Sequence, residues 1–194
     1  MAGETYLETE RLILRRFTDA DVDALVLLDS DPEVTRYLTR VPPDREKVAS
    51  ETIPRVMRYY DEHPQFGTWA TIERASGEFI GWFHLRPPHH GGRDDEPELG
   101  YRFRRAAWGK GYATEGGRAL VDRAFTELGA RRVFALTMAV NAGSRRVMEK
   151  VGLRYVRSFH GSWPERLPGA EHGDVEYAIT RDQWERDRAR RSSP

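Results

Sequence analysis

The segment that most constrains the fold is WGKGYATEG, residues 108–116. It follows the strand-like run ELGYRF at residues 98–103 and opens a helical pattern that extends over residues 112–128. Gly109 and Gly111 let the backbone approach a ligand without an intervening side chain. The first amides of a helix lack internal partners and lie at the positive end of its dipole, so they favour an anion. The sequence therefore predicts a phosphate-binding loop between a strand and a helix.

Two common phosphate loops do not fit this segment. A P-loop requires GxxxxGK followed by Ser or Thr, whereas Lys110 is flanked by glycines and adds only a nearby cation. A dinucleotide fingerprint requires a third glycine where this chain has Thr114, and the next strand, VFALTMAV, ends at Asn141 without a ribose-binding acid. The Walker pattern therefore fails, and the Rossmann interpretation is weak.

A second motif, NAGSRRVMEKVGL at residues 141–153, follows that strand directly. In this order and separation, the two motifs resemble the acetyl-CoA motif of the GNAT superfamily of N-acetyltransferases, and the RimJ/RimL-like branch is the most similar. The opening ETERLILRRFTDADVDAL resembles the first strand and helix of that branch, and GEFIGWFHL and PELGYRF resemble its central strands. The resemblance thus covers nearly the whole chain.

The resemblance implies an α/β (α+β) fold, with a mixed, mostly antiparallel, splayed central sheet of about seven strands and helices on both faces. Acetyl-CoA, the acyl donor, is then expected between the fourth and fifth strands, where they part. The sequence pattern predicts strands at residues 12–14, 66–73, 79–85, 98–103, 132–140, 153–159 and 175–180. Helix starts are predicted near Thr18 and Asp44, and Pro54 is expected to kink or divide the second helix.

Composition is consistent with one compact domain over residues 1–194, of which residues 183–194 are expected to form a frayed tail. Basic and acidic residues balance to a formal net charge of zero, which does not indicate binding to nucleic acid. The absence of cysteine excludes disulfides and thiolate catalysis. Neither a signal peptide nor a segment long enough to span a membrane is recognised, so a cytoplasmic protein is expected.

The resemblance also assigns residues to acetyl-CoA. The backbone amides that would cradle its pyrophosphate are those of Gly109, Lys110, Gly111, Tyr112, Ala113 and Thr114. Phe103 and its neighbours would pair with the pantetheine, and Asn141 would form a hydrogen bond on its far side. Trp108 stands where the family more commonly has Gln or Arg, and for this residue both cofactor contact and simple packing remain open.

The proposed chemistry requires a base, because only a neutral amine attacks a thioester. A lysine-like amine has a reference pKa of about 10.4, so a base or a water relay must take its proton. Glu98 matches a glutamate of the RimJ/RimL-like pattern and is the candidate base. The alternative is an exposed strand carboxylate, and Asp94, Asp95 and Glu96 could share the role.

The departing thiolate needs a proton, and the developing oxyanion needs hydrogen-bond donors. Ser144 matches the serine of the family motif and is the candidate proton donor. The alternative for Ser144 is a structural role in capping the helix together with Asn141. Backbone donors near Phe103 are expected to stabilise the oxyanion.

The resemblance places Trp82, His84 and the loops at residues 87–97 and 158–173 around the acceptor opening. Side chains of interest in the second loop are His160, Trp163, Glu165 and His172. The acidic residues at the end of the first loop are expected to give the opening an acidic edge that suits a cationic amine. A solvated loop is the alternative.

The sequence thus predicts an N-acetyltransferase that moves an acetyl group to a primary amine by direct attack in a ternary complex. The acceptor would be a protein N-terminus, an amino acid or a small-molecule amine such as an antibiotic. Relatives often pair, so a homodimer is an open prediction. No metal is predicted, since His89 and His90 lack regular ligand spacing. The alternative function is a catalytically silent acyl-CoA-binding or regulatory module.

Overall fold

A computed structural model of the chain describes residues 3–87, 93–161 and 167–192. Within these ranges the strands are β1 (Thr5–Glu8), β2 (Leu12–Arg16), β3 (Gly67–Glu73), β4 (Phe79–Arg86), β5 (Glu98–Phe103), β6 (Arg132–Met138), β7 (Arg154–Phe159) and β8 (Asp174–Thr180). They form one eight-stranded sheet in the order β1-β2-β3-β4-β5-β6-β8-β7. Neighbouring strands are antiparallel except β5 and β6, which are parallel. The predicted mixed sheet is confirmed, with eight strands rather than about seven.

The helices in the described part of the chain are α1 (Val22–Asp29), α2 (Pro32–Thr35), α3 (Arg45–Lys47), α4 (Ile53–Glu62), α5 (Tyr112–Thr126), α6 (Ala142–Val151) and α7 (Arg181–Ser192). Asp44 caps α3 by accepting hydrogen bonds from its first-turn amides. A π-helical turn, Val48–Thr52, joins α3 to α4 just ahead of Pro54, which has no amide hydrogen to donate. The predicted start at Asp44 and the predicted division near Pro54 are both confirmed.

The sheet parts between β5 and β6. β4 and β5 pair from Gly81↔Phe103 to Arg86↔Glu98, whereas the parallel ladder of β5 and β6 contains the single pair Glu98↔Phe134. Beyond Glu98 the two strands diverge, and we call the resulting gap the seam. The splayed sheet expected from the sequence is therefore present. It parts at the expected strands, because the fourth and fifth predicted strands are β5 and β6 of the structure.

Hydrophobic side chains fill both faces of the sheet. On one face, α5 supplies the stripe predicted from its periodicity, with buried Leu120, Val121, Ala124 and Phe125. On the other face, a second cluster includes buried Phe17, Leu28, Ile53 and Phe79. Burial of each such large side chain contributes about 1.5–3 kcal/mol. No helix in the described ranges is both long enough and apolar enough to cross a bilayer.

The C-terminal segment differs from the prediction. Residues 183–194 were expected to fray, but α7 continues to Ser192 and its Trp184 is buried against Phe125, with ring centroids 5.2 Å apart. The Trp184 indole Nε1 also donates to Asp122 Oδ1 at 2.6 Å. One aromatic anchor thus holds an otherwise highly charged helix on the body of the protein. The assignment of residues 1–194 to one domain stays a prediction.

Candidate active site

The predicted phosphate loop has the backbone geometry of a ligand cradle. Gly109 and Gly111 have φ angles of 75° and 84°, and Gly111 is the residue that caps α5. A Cβ added at Gly109 would meet nothing within 4 Å, and one at Gly111 would meet only Arg11 Nη2 at 3.4 Å. The left-handed backbone conformation at both positions favours glycine, because other residues rarely adopt it. The space beside both glycines is open.

Arg11, a residue that the sequence did not identify, holds this loop in place. Its Nη1 donates to the carbonyl of Lys110 at 2.9 Å, and its Nε donates to Glu115 Oε2 at 2.6 Å. Thr9 Oγ1 donates to the other oxygen of Glu115 at 2.6 Å. Burial would raise the pKa of Glu115, but these hydrogen bonds outweigh it and lower that pKa. The loop is therefore fixed to the turn between β1 and β2.

The first residue of α5 is fixed from a second direction. The buried Tyr112 hydroxyl donates to Glu73 Oε1 on β3, and the Arg11 guanidinium lies 4.8 Å from the centre of the Tyr112 ring. The hydrogen bond from Tyr112 lowers the pKa of Glu73. The amides of the first turn, including those of Ala113 and Thr114, therefore start from an anchored residue.

The backbone of β5 presents alternate residues to its two neighbours. Pro97 accepts a hydrogen bond from β6, and Arg104 donates one to β4. By this alternation, the residues whose N–H and C=O groups point toward β6 are Leu99, Tyr101 and Phe103. Since the ladder between β5 and β6 ends at Glu98, these polar groups border the seam.

Trp108 packs back onto β5. Its indole Nε1 donates to the carbonyl of Phe103 at 2.8 Å, while 48% of the residue remains exposed. The carbonyl of Phe103 thus already accepts one hydrogen bond, and its N–H is the group proposed to pair with a ligand in the seam. The packing interpretation of Trp108 is thus present, and its contact with the cofactor stays a prediction.

Asn141 begins α6 as its cap. Its Oδ1 accepts from the amide of Ser144 at 3.1 Å, and its Nδ2 donates to Thr137 Oγ1 at 3.1 Å. The capping role considered for this pair is therefore present, with Asn141 rather than Ser144 supplying the side-chain acceptor. The second hydrogen of the Asn141 amide is the group that remains for a ligand.

Tyr101 and Ser144 join the two sides of the seam. The Tyr101 hydroxyl donates to the carbonyl of Ser144 at 3.0 Å and lies 3.1 Å from Ser144 Oγ. Burial raises the pKa of Tyr101, and the hydrogen bond with Ser144 opposes only part of that rise. Tyr101 was missed from the sequence, although its place three residues after Glu98 puts it on the opposite face of β5.

The other face of β4 and β5 collects the side chains expected at the acceptor opening, and we call it the acceptor face. Cross-strand pairs on this face are Trp82↔Arg102, His84↔Gly100 and Arg86↔Glu98. A Cβ on Gly100 would lie 2.3 Å from His84 Nε2, so glycine is what makes room for the imidazole. The buried His84 ring in turn stacks on Trp82 at 5.6 Å, which fixes both predicted acceptor residues.

Glu98 lies where the acceptor face meets the last pair before the seam. Its Oε2 is 4.0 Å from His84 Nε2 and 3.9 Å from Arg86 Nη2, and its side chain is 19% exposed. Burial raises the pKa of Glu98, with the Arg86 guanidinium opposing part of the rise. A carboxylate with a raised pKa is a stronger base than an ordinary surface glutamate, which suits proton abstraction.

The expected acidic edge is largely neutralised, which corrects the sequence interpretation. Asp95 forms ion pairs with Arg93 at 2.8 Å and Arg131 at 3.9 Å, and Glu96 is 3.6 Å from Arg132. These acids therefore stabilise the loop rather than face an acceptor.

Of the remaining candidates in the two loops, His160 and His172 lie beside Glu171. His160 Nε2 is 3.4 Å from the carbonyl of Glu171, and His172 Nε2 is 3.7 Å from its carboxylate. Both histidines thus have local partners within their own loop. The other candidates, His89, His90, Trp163 and Glu165, lie outside the described residues.

Comparison with known proteins identifies the class. The model of the acetyltransferase (GNAT) domain family matches residues 11–154, so the chain belongs to the GNAT acetyltransferase family. It is 38% identical over 183 residues to the FsC-acetyl coenzyme A-N(2)-transacetylase of Aspergillus fumigatus, covering 92% of this chain and 77% of that protein. The protein is an N-acetyltransferase, and acetyl-CoA is its acyl donor.

Solved structures support the same fold. One is the RimL ribosomal L7/L12 alpha-N-protein acetyltransferase in complex with coenzyme A, with a TM-score of 0.75 and 17% identity over 91% of this chain and 98% of that chain. Another is the aminoglycoside acetyltransferase AAC(6')-Ib with coenzyme A, with a TM-score of 0.71 and 19% identity over 91% and 99%. At these identities the likeness extends to the fold alone. The open cradle at Gly109 and the seam fit a nucleotide thioester.

Proposed function

We propose that the protein transfers the acetyl group of acetyl-CoA directly to a primary amine within a ternary complex, and that it belongs to the RimJ/RimL-like branch. The observation that carries this proposal is the position of Glu98. It is the last paired residue before the seam, and burial raises its pKa. A base at this point lies beside both the seam and the acceptor face.

The donor is held mainly by main-chain groups in this proposal. The diphosphate binds the amides of residues 109–114, where left-handed glycines open the backbone and the helix dipole favours an anion. Lys110, which is exposed, adds a positive charge. The pantetheine follows the edge of β5 at the N–H of Phe103, and Asn141 contributes its second amide hydrogen. The exposed edge of Trp108 covers the same ligand.

The reaction then needs two proton transfers. Glu98 accepts a proton from the acceptor amine, whose nitrogen forms a bond to the thioester carbonyl carbon as the carbon–sulfur bond breaks. Ser144 supplies a proton to the sulfur, and its hydroxyl is held by Tyr101. The products are an N-acetylated amine and free CoA, and charge and atoms balance once Glu98 releases its proton to solvent and Ser144 regains one.

The acceptor is a primary amine: a protein N-terminus, an amino acid or a small molecule such as an aminoglycoside. Trp82 and His84 form the aromatic part of the acceptor face. The name of the Aspergillus relative specifies transfer to an N(2) nitrogen, which supports an amine acceptor in this chain as well. A homodimer is part of the proposal and is tested by the mass of the protein in solution.

The test is a screen for release of free thiol from acetyl-CoA with a broad panel of amines: peptides with varied N-termini, amino acids, polyamines and aminoglycosides. Acetyl-CoA should raise the melting temperature, since a ligand at a hundredfold excess over its dissociation constant adds about 2.7 kcal/mol to stability. Stabilisation without thiol release on any amine would identify a binding module instead. No stabilisation and no release would remove both functions.

A further inference from the structure

The acceptor face ends in a guanidinium that the proposed proton transfers do not use. Arg86, the last residue of β4, stands directly opposite Glu98 in the register of the sheet. Arg86 Nη2 lies 3.9 Å from Glu98 Oε2, and the two side chains are 27% and 19% exposed. A candidate base and a cation therefore lie side by side at the edge of the acceptor face.

The contact between these groups leaves hydrogen-bonding capacity in both. A separation of 3.9 Å is too long for a hydrogen bond, so the pair is held by charge alone. Arg86 Nε is buried without a hydrogen-bond partner among the described residues. A guanidinium carries five N–H donors, and a buried donor without an acceptor is costly. An oxygen atom of a bound ligand would satisfy Arg86.

The charges around Arg86 favour an anionic group at this point. Among the described residues, Glu98 is the carboxylate that acts on Arg86 and raises its pKa. Arg55 of α4 adds a second positive charge, which lowers the pKa of Arg86 by repulsion. The nearby acids Asp95 and Glu96 are turned to other arginines. Asp94 acts on Tyr59, which also feels the charge of Arg86. Of the carboxylates in the described ranges, Glu98 is thus the one that acts on Arg86 directly, against the positive charges of Arg86 and Arg55.

We propose that the acceptor is an α-amino acid, whose amine binds Glu98 while the carboxylate on the neighbouring carbon binds Arg86. This inference rests on the proposed function, in which Glu98 takes the proton of the amine. In an α-amino acid a single carbon separates the amine from the carboxylate, so the two groups engage neighbouring side chains at the same time. A planar guanidinium is matched to carboxylate geometry, which makes Arg86 a specificity-determining residue.

The same arrangement discriminates against other amines. A polyamine or an aminoglycoside presents further cations, which Arg86 and Arg55 would repel. A simple alkylamine would leave the buried Nε of Arg86 without an acceptor. Rejection of a ligand that leaves a polar group unpaired is stronger than rejection by shape. A peptide N-terminus offers a neutral carbonyl oxygen and lies between these extremes.

The experiment compares matched acceptors that differ only in the group next to the amine. The two series are phenylalanine, phenylalaninamide and phenethylamine, and lysine, lysinamide and cadaverine. Thiol release from acetyl-CoA gives kcat and KM for the unchanged protein and for Arg86→Met and Arg86→Lys. Arg58→Met, a change at an exposed position of α4, is the matched control. Acetyl-CoA binding by thermal shift confirms that each variant is folded.

In the unchanged protein, we expect kcat/KM to fall about 10-fold or more from acid to amide, and again from amide to amine. Arg86→Met should raise KM for the acid by about 10- to 100-fold, and Arg86→Lys should restore part of that loss. At a pH where Glu98 is deprotonated, Arg86→Met should leave KM for the amine unchanged. Equal use of all three acceptors, or an equal loss for all three in Arg86→Met, would overturn the inference. Thiol release with carboxylate-free amines only overturns it too, but leaves the proposed function standing. No release with any amine in this set or the broad panel removes both.

Discussion

The phosphate loop and the acceptor face meet at β5 but are built in different ways. The loop is shaped by the left-handed angles of Gly109 and Gly111, and it presents main-chain amides. The acceptor face consists of side chains, with His84, Arg86 and Glu98 arranged by the cross-strand register of β4 and β5.

The difference shows how one fold can keep its donor while its acceptor changes. Amides are common to every sequence, so a donor site made of backbone needs only glycines and an anchored helix start. The acceptor site is defined by which side chains occupy alternate positions of two strands. Structures that share the fold at 17% and 19% identity carry names with different acceptors, a ribosomal protein and an aminoglycoside.

The largest difference between an effect on catalysis and an effect on donor binding is expected from Glu98→Gln. Loss of a positioned base should lower kcat by about 10²- to 10⁴-fold, because the amide cannot accept the proton of the amine. The stabilisation of the protein by acetyl-CoA should not change, since the loop is intact. The control is Glu96→Gln, whose carboxylate faces Arg132. Full activity in Glu98→Gln would transfer the base role to another group.

The reciprocal change is Gly111→Val. Forcing a β-branched residue to a φ of 84° should cost about 1–3 kcal/mol and misdirect the loop amides. We expect the dissociation constant for acetyl-CoA to rise by at least about 10-fold, as measured by calorimetry. Gly77→Val, at a φ of 71° in the turn between β3 and β4, is the matched control for strain alone. Equal binding in both variants would show that the loop does not hold the donor.

A smaller effect is expected at the contact that joins the two sides of the seam. Tyr101→Phe removes the hydroxyl that holds Ser144, and kcat should fall by about 3- to 10-fold, the scale of one hydrogen bond. Ser144→Ala should lower kcat by a similar factor. The double variant should have a kcat no lower than that of either single variant, because both residues act on the same proton. Additive losses in this cycle would mean that Tyr101 and Ser144 act independently.

The smallest predicted effect is a shift in pH dependence. A base works only when deprotonated, so activity should rise with pH through the pKa of Glu98, which burial places above its ordinary value. Because the Arg86 guanidinium lowers that pKa, Arg86→Met should move the acidic limb of the kcat/KM profile to higher pH. A carboxylate-free amine is the appropriate acceptor for this measurement. If the acidic limb does not move, the group that titrates in the profile is not Glu98.

Local sequence predicted much of the donor region. The strand Glu98–Phe103 and the start of α5 at Tyr112 lie where the pattern placed them, since alternation, glycines and helical periodicity are all readable within a few residues. Arg11 was missed because its partners Lys110 and Glu115 are about a hundred residues away along the chain. No local pattern encodes such a contact.

The acceptor region was less predictable for the same reason. The acidic run before β5 predicts a surface for a cationic amine, but Arg93 within the run and the more distant Arg131 and Arg132 pair with its acids. The charged composition of the C-terminal segment predicts a frayed tail, but Trp184 packs on Phe125 and Asp187 pairs with Arg154 at 3.0 Å, which holds the helix on the domain. The identity of a neighbour across the fold, rather than local propensity, set each of these features.

The limited pairing of β5 and β6, which consists of Glu98↔Phe134, has a mechanical consequence for the whole sheet. Strands β1 to β5 form one group and β6 to β8 another, and the strand pairing between the two groups is limited to this one pair. A ligand bound in the seam would contact both groups of strands and connect them. In the function proposed above, binding of the donor in the seam would therefore stiffen the link between the two groups of strands.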